Sequence, residues 1–528
     1  MKRPPSPVAA RSRLAAPLLA ALGGAAWGLC HGVESRSLLS LVALAPLLLL
    51  LGWARPFLCG WLHGVVTWCV AIPWIVPTIT TYGLQPGWIG GLALLLLAAY
   101  LGLFHGLFAL LGAPLWRRGD PFSLVALPAL WVVLEVLRGR LLTGFPWNLA
   151  AHAWIDLPGA LPIASWIGAF GVSFLVLVAN LGVARAFAIR RWELAAWALL
   201  VPAALLALAA RLAVVPDPPA PAREVRVLQP DIPNRPFFDA AANEGDYRRL
   251  LAQSRAACRP GGLLIWPESA AWPRNWQDDA RLRFDVQELA LRSGCAVILN
   301  TAFTAGDRTF NSLLLVEEAR AGESLPEREA VGAGAGTAGL RVERADKRHL
   351  VPFGEYVPLR RVVPFVGKIA RRVGDFSPAT EVRLLRWREE RLGPAVCYEV
   401  VFPGETAALV RAGATLLVTV TNDGWYGDSA APRQHLRAAR FRAAENRRWL
   451  LRAAVTGISA VVRPDGGLDA ALEVGESGTL EATVVGRRDV SPYSRAPWLV
   501  PLLCVLAAAV AWARVLVPVR LFRARSRR

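Results

Sequence analysis

The sequence predicts two architectures in one chain: an α-helical transmembrane bundle and an α/β layered domain. Three observations predict them. The 528-residue chain is 54% hydrophobic and only 19% charged, against about a quarter charged in ordinary soluble domains, and its mean hydropathy is +0.38. Residues 1–215 fall into apolar stretches near the ~20 residues that a bilayer core requires of a helix. Residues 216–496 instead alternate short apolar runs with charged segments of helical length, the pattern of a layered α/β domain.

The apolar stretches are 14–33, 37–54, 57–77, 88–112, 121–138, 160–187 and 193–215, followed after the polar region by 497–513. They predict about eight spans. Ala54, Arg55 and Pro56 alone separate the second stretch from the third, which predicts a tight helical hairpin. The connection 143–157 carries Trp and Pro and reads as interfacial. Lys2, Arg3, Arg11 and Arg13 precede the first stretch. Because further apolar stretches follow at once, that stretch reads as an uncleaved first helix rather than a secretory leader.

Cytoplasmic loops collect Lys and Arg. Placing Arg55, Arg117 with Arg118, and Arg190 with Arg191 inside puts the uncharged connection 78–87 outside. The tail with Arg520, Arg523, Arg525, Arg527 and Arg528 then returns inside. The expected division is a bundle over 1–215, an extracytoplasmic domain over 216–496, and a last helix with a basic cytoplasmic tail over 497–528. The net charge of +19 then fits anionic headgroups better than nucleic acid, for which no motif is present.

Pro216, Pro218, Pro219 and Pro221 mark the linker into the middle domain. Expected strands are 224–229, 262–266, 295–302, 310–316, 338–343, 393–397 and 414–421; expected helices are 240–257, 278–293, 402–412 and 432–448. The Gly/Ala/Glu-rich segment 318–336 reads as a mobile loop. Arg437, Arg440, Arg442, Arg447 and Arg448 read as one solvated helix face.

Of seven cysteines, only Cys258, Cys295 and Cys397 lie in this domain. An odd cysteine there is a candidate reactive thiol, with a Cys258–Cys295 pair left open. Three motifs end expected strands: Ile265-Trp266-Pro267-Glu268-Ser269, Lys347 to Pro358, and Ala395-Val396-Cys397-Tyr398-Glu399. Singly, Glu268 reads as a solvated strand end, Lys347 as a surface charge and Cys397 as a small core residue. Together they supply what acyl transfer requires. A thiol attacks as thiolate, a carboxylate takes and returns its proton, and a fixed ammonium stabilises the oxyanion. His31, His63, His105 and His152 lack ligand spacing, so neither a metal nor a cofactor is expected. His435 reads as structural.

A Glu–Lys–Cys set in this order resembles the carbon–nitrogen hydrolase (nitrilase) superfamily. The stretch Lys347 to Glu355, between seven apolar stretches and one more, is similar to the apolipoprotein N-acyltransferases within it. So are Gln229 to Pro233, Asn311-Ser312, and Thr421 to Gly427 ahead of Gln434-His435. The resemblance implies a nitrilase-like α-β-β-α sandwich on a transmembrane bundle of the bacterial inner membrane. It implies Glu268 as base, Lys347 as oxyanion stabiliser, Cys397 as nucleophile, Glu355 as a second carboxylate holding Lys347, and Tyr398 and Glu399 as supporting neighbours. The implied reaction moves an acyl group from a phospholipid, through a thioester, to the α-amine of a diacylglyceryl-cysteine on an apolipoprotein. A tethered amidase or nitrilase with the same triad is the alternative, and a transporter with a ligand-binding outer domain a third reading.

Departures touch supporting positions. Phe237 and Phe238 stand where some members carry Trp, Arg433 replaces an aromatic, and Val455 and Thr456 replace an Asn pair. Phe237 and Phe238 are candidate lipid contacts. So are Phe365, Lys368, Arg371 and Arg372, in a stretch that reads either as dipping into the headgroup layer or as an ordinary mobile loop.

Overall fold

The computed structural model describes residues 7–34, 36–212, 217–235, 237–319, 339–356 and 375–516. The expected loop 318–336 and the candidate contacts Phe365, Lys368, Arg371 and Arg372 therefore lie almost wholly outside the described residues. The chain divides into two compact units. Met1–Val76, Pro86–Ala213 and Ala496–Arg528 form the first; Pro77–Gln85 and Val214–Arg495 form the second.

In the first unit, five helices among the described residues are long and apolar enough to cross a membrane, or six if one bent pair counts as a span. The five are Gly87–Arg118, Pro121–Arg138, Ala160–Ile189, Trp192–Leu212 and Leu499–Leu516. Among the described residues, length and composition support five or six of the eight expected spans, and prolines account for part of the difference. The stretch 37–54 breaks into Ser37–Ser40 and Ala45–Leu50, with Pro46 opening the second piece. The stretch 57–77 bends by 65° between Pro56–Ala71 and Ile75–Tyr82, at Pro73, whose ring cannot continue the helical ladder.

Two helices approach closely through small residues. Gly64 on Pro56–Ala71 faces Gly102 on Gly87–Arg118, where a Cβ at Gly64 would sit 2.7 Å from Gly102 Cα; Gly60 packs on the His105 carbonyl and Ala109, and Gly106 on Phe57. This small-xxx-small spacing lets apolar helices pack without a hydrophobic driving force. Much of the connection 143–157 is packed inside the unit. Trp147, Leu149 and Trp154 are buried. Arg138 Nη1 donates to the Phe145 and Trp147 carbonyls at 2.7 Å each, and Glu135 Oε1 accepts from Ala150 N at 2.8 Å. Glu135 and Arg138 fold the connection inward by satisfying backbone groups that would otherwise stay in water.

The second unit is a sandwich of two six-stranded sheets. In the first sheet the order is β12-β1-β2-β3-β4-β5, with β1 Ala222–Gln229, β2 Leu263–Ile265, β3 Ala296–Ala305, β4 Arg308–Glu318, β5 Leu340–Asp346 and β12 Gly478–Val485. The second runs β11-β10-β9-β8-β7-β6, with β6 Leu385–Trp387, β7 Glu390–Val396, β8 Leu416–Thr421, β9 Leu450–Ala454, β10 Ser459–Val462 and β11 Leu468–Leu472.

The central strands β1-β2-β3 and β7-β8-β9 are parallel. Their crossovers are the helices Ala240–Ala257, Ala280–Arg292, Pro403–Arg411 and Ala431–Asn446. Alternation sorts the side chains. Leu263 and Ile265 join Val418, Val420 and Leu451 between the sheets, while Leu264 faces Leu250, Val286 and Leu289 of the outer helices. The α-β-β-α layering is thus as expected.

Two expectations about this unit change. β6 and β9 to β12 lie outside the strands expected from sequence. β9 carries a fully buried Arg452 and β11 and β12 are half exposed, so neither shows a plain apolar run. The arginines 437–448 are not a solvated face: Arg437, Arg442 and Arg448 are buried. Helix Ala431–Asn446 is enclosed nearly all round, and two buried cations, Arg442 within it and Arg448 just beyond it, face partners inside. Arg442 Nε lies 2.9 Å from Glu445, and Arg448 donates to the carbonyls of Ala414 and Asp489 at 2.8 and 2.7 Å. Cys258 and Cys295 form a disulfide, which closes the pair left open by sequence.

Candidate active site

The three motifs converge at the C-terminal ends of β2, β5 and β7, where open α/β sheets bind ligands. Glu268 follows β2, Lys347 follows β5, and Cys397 follows β7. Their exposures are 8%, 1% and 7%. Cys397 opens a 3-10 turn with φ 53°. A non-glycine residue is strained in that region, and here the strain falls on the residue whose sulfur faces Glu268.

The Lys347 ammonium is 2.9 Å from Glu355 and 3.8 Å from Glu268. Burial alone would lower its pKa, but the Glu355 and Glu268 carboxylates raise it above the ordinary lysine value. Glu268 is pushed up by burial and by Glu355, against the pull of Lys347. One oxygen accepts from Asn311 Nδ2 at 3.1 Å and the other from Asn422 N at 3.0 Å; the Cys397 thiol hydrogen-bonds it as well. The thiol pKa is raised, by burial first and then by Glu268. Burial and the neighbouring Glu268 charge thus keep Cys397 in its thiol form at neutral pH, with the Glu268 carboxylate beside it.

Asn311, Thr421, Asn422 and Asp423 carry no assigned role in the sequence motifs; the structure gives them one. Asn311 Nδ2 bridges Glu268 and Glu355, the latter at 2.7 Å. Its orientation is fixed from behind, because Asn300 Nδ2 donates to Asn311 Oδ1 at 2.6 Å. Glu355 also accepts from Val351 N at 2.8 Å. Glu399 ties the turn after β7 to the loop after β5, accepting from Val396 N, Arg348 N and His349 N at 2.7, 2.7 and 3.1 Å. Tyr398 is buried against Phe402 and His349. The signal for these residues was a polar side chain at a strand end, which spacing alone does not distinguish from a turn.

Beneath Cys397 lies a buried polar group. His435 Nε2 is 3.0 Å from the Cys397 carbonyl, which can only accept, so this nitrogen carries a proton. His435 Nδ1 faces Asp423 at 3.0 Å and Arg452 at 3.1 Å. With both nitrogens so placed, His435 supports the Cys397 backbone. Asp423 also accepts from Arg452 at 2.6 Å. Burial would raise its pKa, but Arg452 and His435 hold it down to about 2.

The remaining residues lie around this centre. Phe237 and Phe238 are exposed, at 66% and 62%, and Phe238 meets Trp272 edge-on at 5.9 Å. Asn422 Nδ2 reaches Asn234 at 3.2 Å, bringing the preceding segment to the site. Arg433 pairs with Glu473 at 3.0 Å. The Val455 carbonyl accepts from Asp231 N and the Thr456 carbonyl from Gly475 N, so both replaced positions serve through backbone.

Paired sheets with a buried Glu, Lys and Cys define a carbon–nitrogen hydrolase domain, and the model of that family matches residues 226–488. Residues 23–182 match the apolipoprotein N-acyltransferase N-terminal domain. The chain is 35% identical over 514 residues to an apolipoprotein N-acyltransferase of Geobacter metallireducens, covering 93% of this chain and 94% of that one. Another, from Ralstonia nicotianae, is 34% identical over 528 residues and covers 95% and 94%. A CN-hydrolase superfamily protein from Xanthomonas campestris has a TM-score of 0.35 at 19% identity, covering 54% of this chain and 97% of the other. The chain belongs to the apolipoprotein N-acyltransferase family, and is an acyltransferase.

Proposed function

We propose that the enzyme transfers a fatty acyl group from a membrane phospholipid to the N-terminal α-amine of a diacylglyceryl-cysteine on apolipoproteins, in two half-reactions through a Cys397 thioester. The observation that carries this reading is the burial of one carboxylate, Glu268, against both a thiol and an ammonium.

In the first half-reaction Glu268 takes the Cys397 proton as sulfur attacks the ester carbonyl. Lys347 stabilises the oxyanion. The ester C–O bond then breaks, and Glu268 returns the proton to the departing lysophospholipid alkoxide. In the second, the acceptor amine attacks the thioester and loses a proton to Glu268; the C–S bond then breaks, and Glu268 returns that proton to the Cys397 sulfur. Glu355 holds Lys347, Asn311 holds both carboxylates, and Tyr398 and Glu399 hold the turn. The exposed rings of Phe237 and Phe238 suit contact with acyl chains.

The catalytic domain is assigned to the outer face of the inner membrane, with both termini cytoplasmic. The loop bias of Lys and Arg supports this, as does the Cys258–Cys295 disulfide, since such bonds persist in oxidising compartments. A reporter active only outside the cytoplasm should be active when fused after Arg223 and silent after Arg523.

The decisive experiment mixes the full-length enzyme with phospholipid labelled in its acyl chain. Labelled protein should appear, with the label on Cys397 and discharged by a diacylglyceryl peptide. Label discharged equally fast by water alone would make the enzyme a tethered hydrolase instead. Thioester persisting in Cys397→Ala would end the mechanism.

A further inference from the structure

The Thr421 hydroxyl, at the end of β8, is fully buried and faces two acceptors. It lies 3.2 Å from Cys397 Sγ and 2.9 Å from Asp423 Oδ1. One hydroxyl carries one proton and can serve only one of them at a time. Asp423 is held ionised by Arg452 at 2.6 Å, so its demand for a donor is constant. The demand of the sulfur changes during the reaction. A thiol or thioester sulfur is a weak acceptor; a thiolate is a strong one.

We propose that Thr421 is a two-position switch and a catalytic residue, donating to Asp423 while Cys397 is a thiol or thioester and turning to Sγ whenever the thiolate forms. This rests on the reading of Cys397 as the nucleophile. The hydroxyl stabilises the sulfur twice in each cycle: as Glu268 removes its proton, and as the thioester breaks and sulfur leaves. No bond is made or broken by Thr421 itself.

The charges around the sulfur give the switch its purpose. Glu268 comes from the loop after β2, Lys347 from the end of β5, and Asp423 and Tyr426 from the turn after β8. Arg452 of β9 and His435 of the following helix stand behind Asp423, and Tyr398 and Glu399 flank the sulfur in its own turn. Glu268 and Asp423 both oppose a thiolate, whereas Lys347 and the Thr421 hydrogen bond favour it. Turning the hydroxyl to sulfur answers the nearby Asp423 charge without moving backbone.

The test uses the full-length enzyme in phospholipid nanodiscs and the rate of Cys397 alkylation by iodoacetamide against pH, mapped to Cys397 by peptide mass. Thr421→Val keeps the shape and removes the hydroxyl; Thr421→Ser keeps the hydroxyl. A hydrogen bond to a charged group is worth roughly one to two pH units in such a profile. Thr421→Val should shift the profile upward by about that much and slow acyl-enzyme formation roughly tenfold or more. Thr421→Ser should stay within about twofold of the parent.

A purely structural role would slow both variants without moving the profile. A Thr421→Val profile that superimposes on the parent, or an equal shift in Thr421→Ser, overturns the switch. Should Thr421→Val fail to fold, Thr421→Ala carries the same expectation. Acyl-enzyme formed by Cys397→Ala would instead defeat the nucleophile assignment, while the alkylation profiles would still read the switch.

Discussion

Lys347 and Glu355 meet at 2.9 Å although the chain turns through Pro352 and Gly354 between them. The loop after β5 thus carries both the cation and the carboxylate that fixes it. Asn311 reaches this pair from β4 and extends it to Glu268. Four polar side chains from three places in the sequence form one buried network, and each is held by at least one of the others.

Removing the charge from either end of that pair should have different effects. In the proposed mechanism Lys347→Met leaves the oxyanion without its cation, and loss of one such donor costs about 10² to 10³ in rate. Glu355→Gln keeps the cation but loosens it, so the loss should be smaller. Single-turnover acylation by labelled phospholipid measures both. Equal losses would mean that Glu355 acts directly on substrate.

The acid limb of acylation should lie above 4.5, the ordinary glutamate value, because burial pushes Glu268 up. The working form is the carboxylate, so the rate falls as pH drops through this raised pKa. Glu268→Gln cannot accept the thiol proton and should not form acyl-enzyme near neutral pH. High pH should partly restore alkylation of Cys397 in that variant, since hydroxide can replace the base. Acyl-enzyme formed at the parental rate by Glu268→Gln would remove it from the mechanism.

The convergence of Glu268, Lys347 and Cys397 was legible because three motifs with acyl-transfer chemistry each ended a strand. The network behind it was not. Asn300, Arg452 and Asp423 are polar residues inside strands and turns, and nothing in their spacing marks them as buried. Arg442 and Arg448 misled for the same reason: a run of arginines on a helix reads as solvated, yet Glu445 and main-chain carbonyls receive these two inside. In the bundle, composition located the apolar stretches, but Pro46 and Pro73 broke two of them into pieces too short or too bent to count as straight spans.

The Cys258–Cys295 bridge closes a loop with a sequence separation of 37, and breaking it should cost about 2–4 kcal/mol. It joins the outer helix layer to β3, away from Cys397. The double variant Cys258→Ala/Cys295→Ala should unfold at a lower temperature yet acylate at the parental rate where it is folded. A loss of acylation at a temperature where circular dichroism shows intact structure would contradict this.

Arg452→Met should leave Asp423 buried without its 2.6 Å partner, at about 3–5 kcal/mol. Asp423 is held at about 2, below its ordinary 3.8. The stability it contributes is present above 3.8 and is lost as pH falls from there through about 2. Denaturant unfolding across that range should be steeper for the parent than for Arg452→Met. Parallel curves would show that Arg452 does not set the Asp423 ionisation.

The segment Pro77–Gln85 belongs to the sandwich unit although residues of the bundle flank it on both sides. Thr78 donates to the Trp425 carbonyl at 3.0 Å, and the Tyr82 ring meets Trp425 at 5.8 Å, two residues beyond Asp423. The polypeptide therefore crosses between the units four times rather than twice. A gene fragment cut at the two outer linkers would encode a catalytic half with a missing piece, and its Trp425 would lose a neighbour supplied from far upstream. The smallest heritable module that contains the whole sandwich unit is therefore not a contiguous one, so recombination at the apparent linkers would not exchange that unit cleanly.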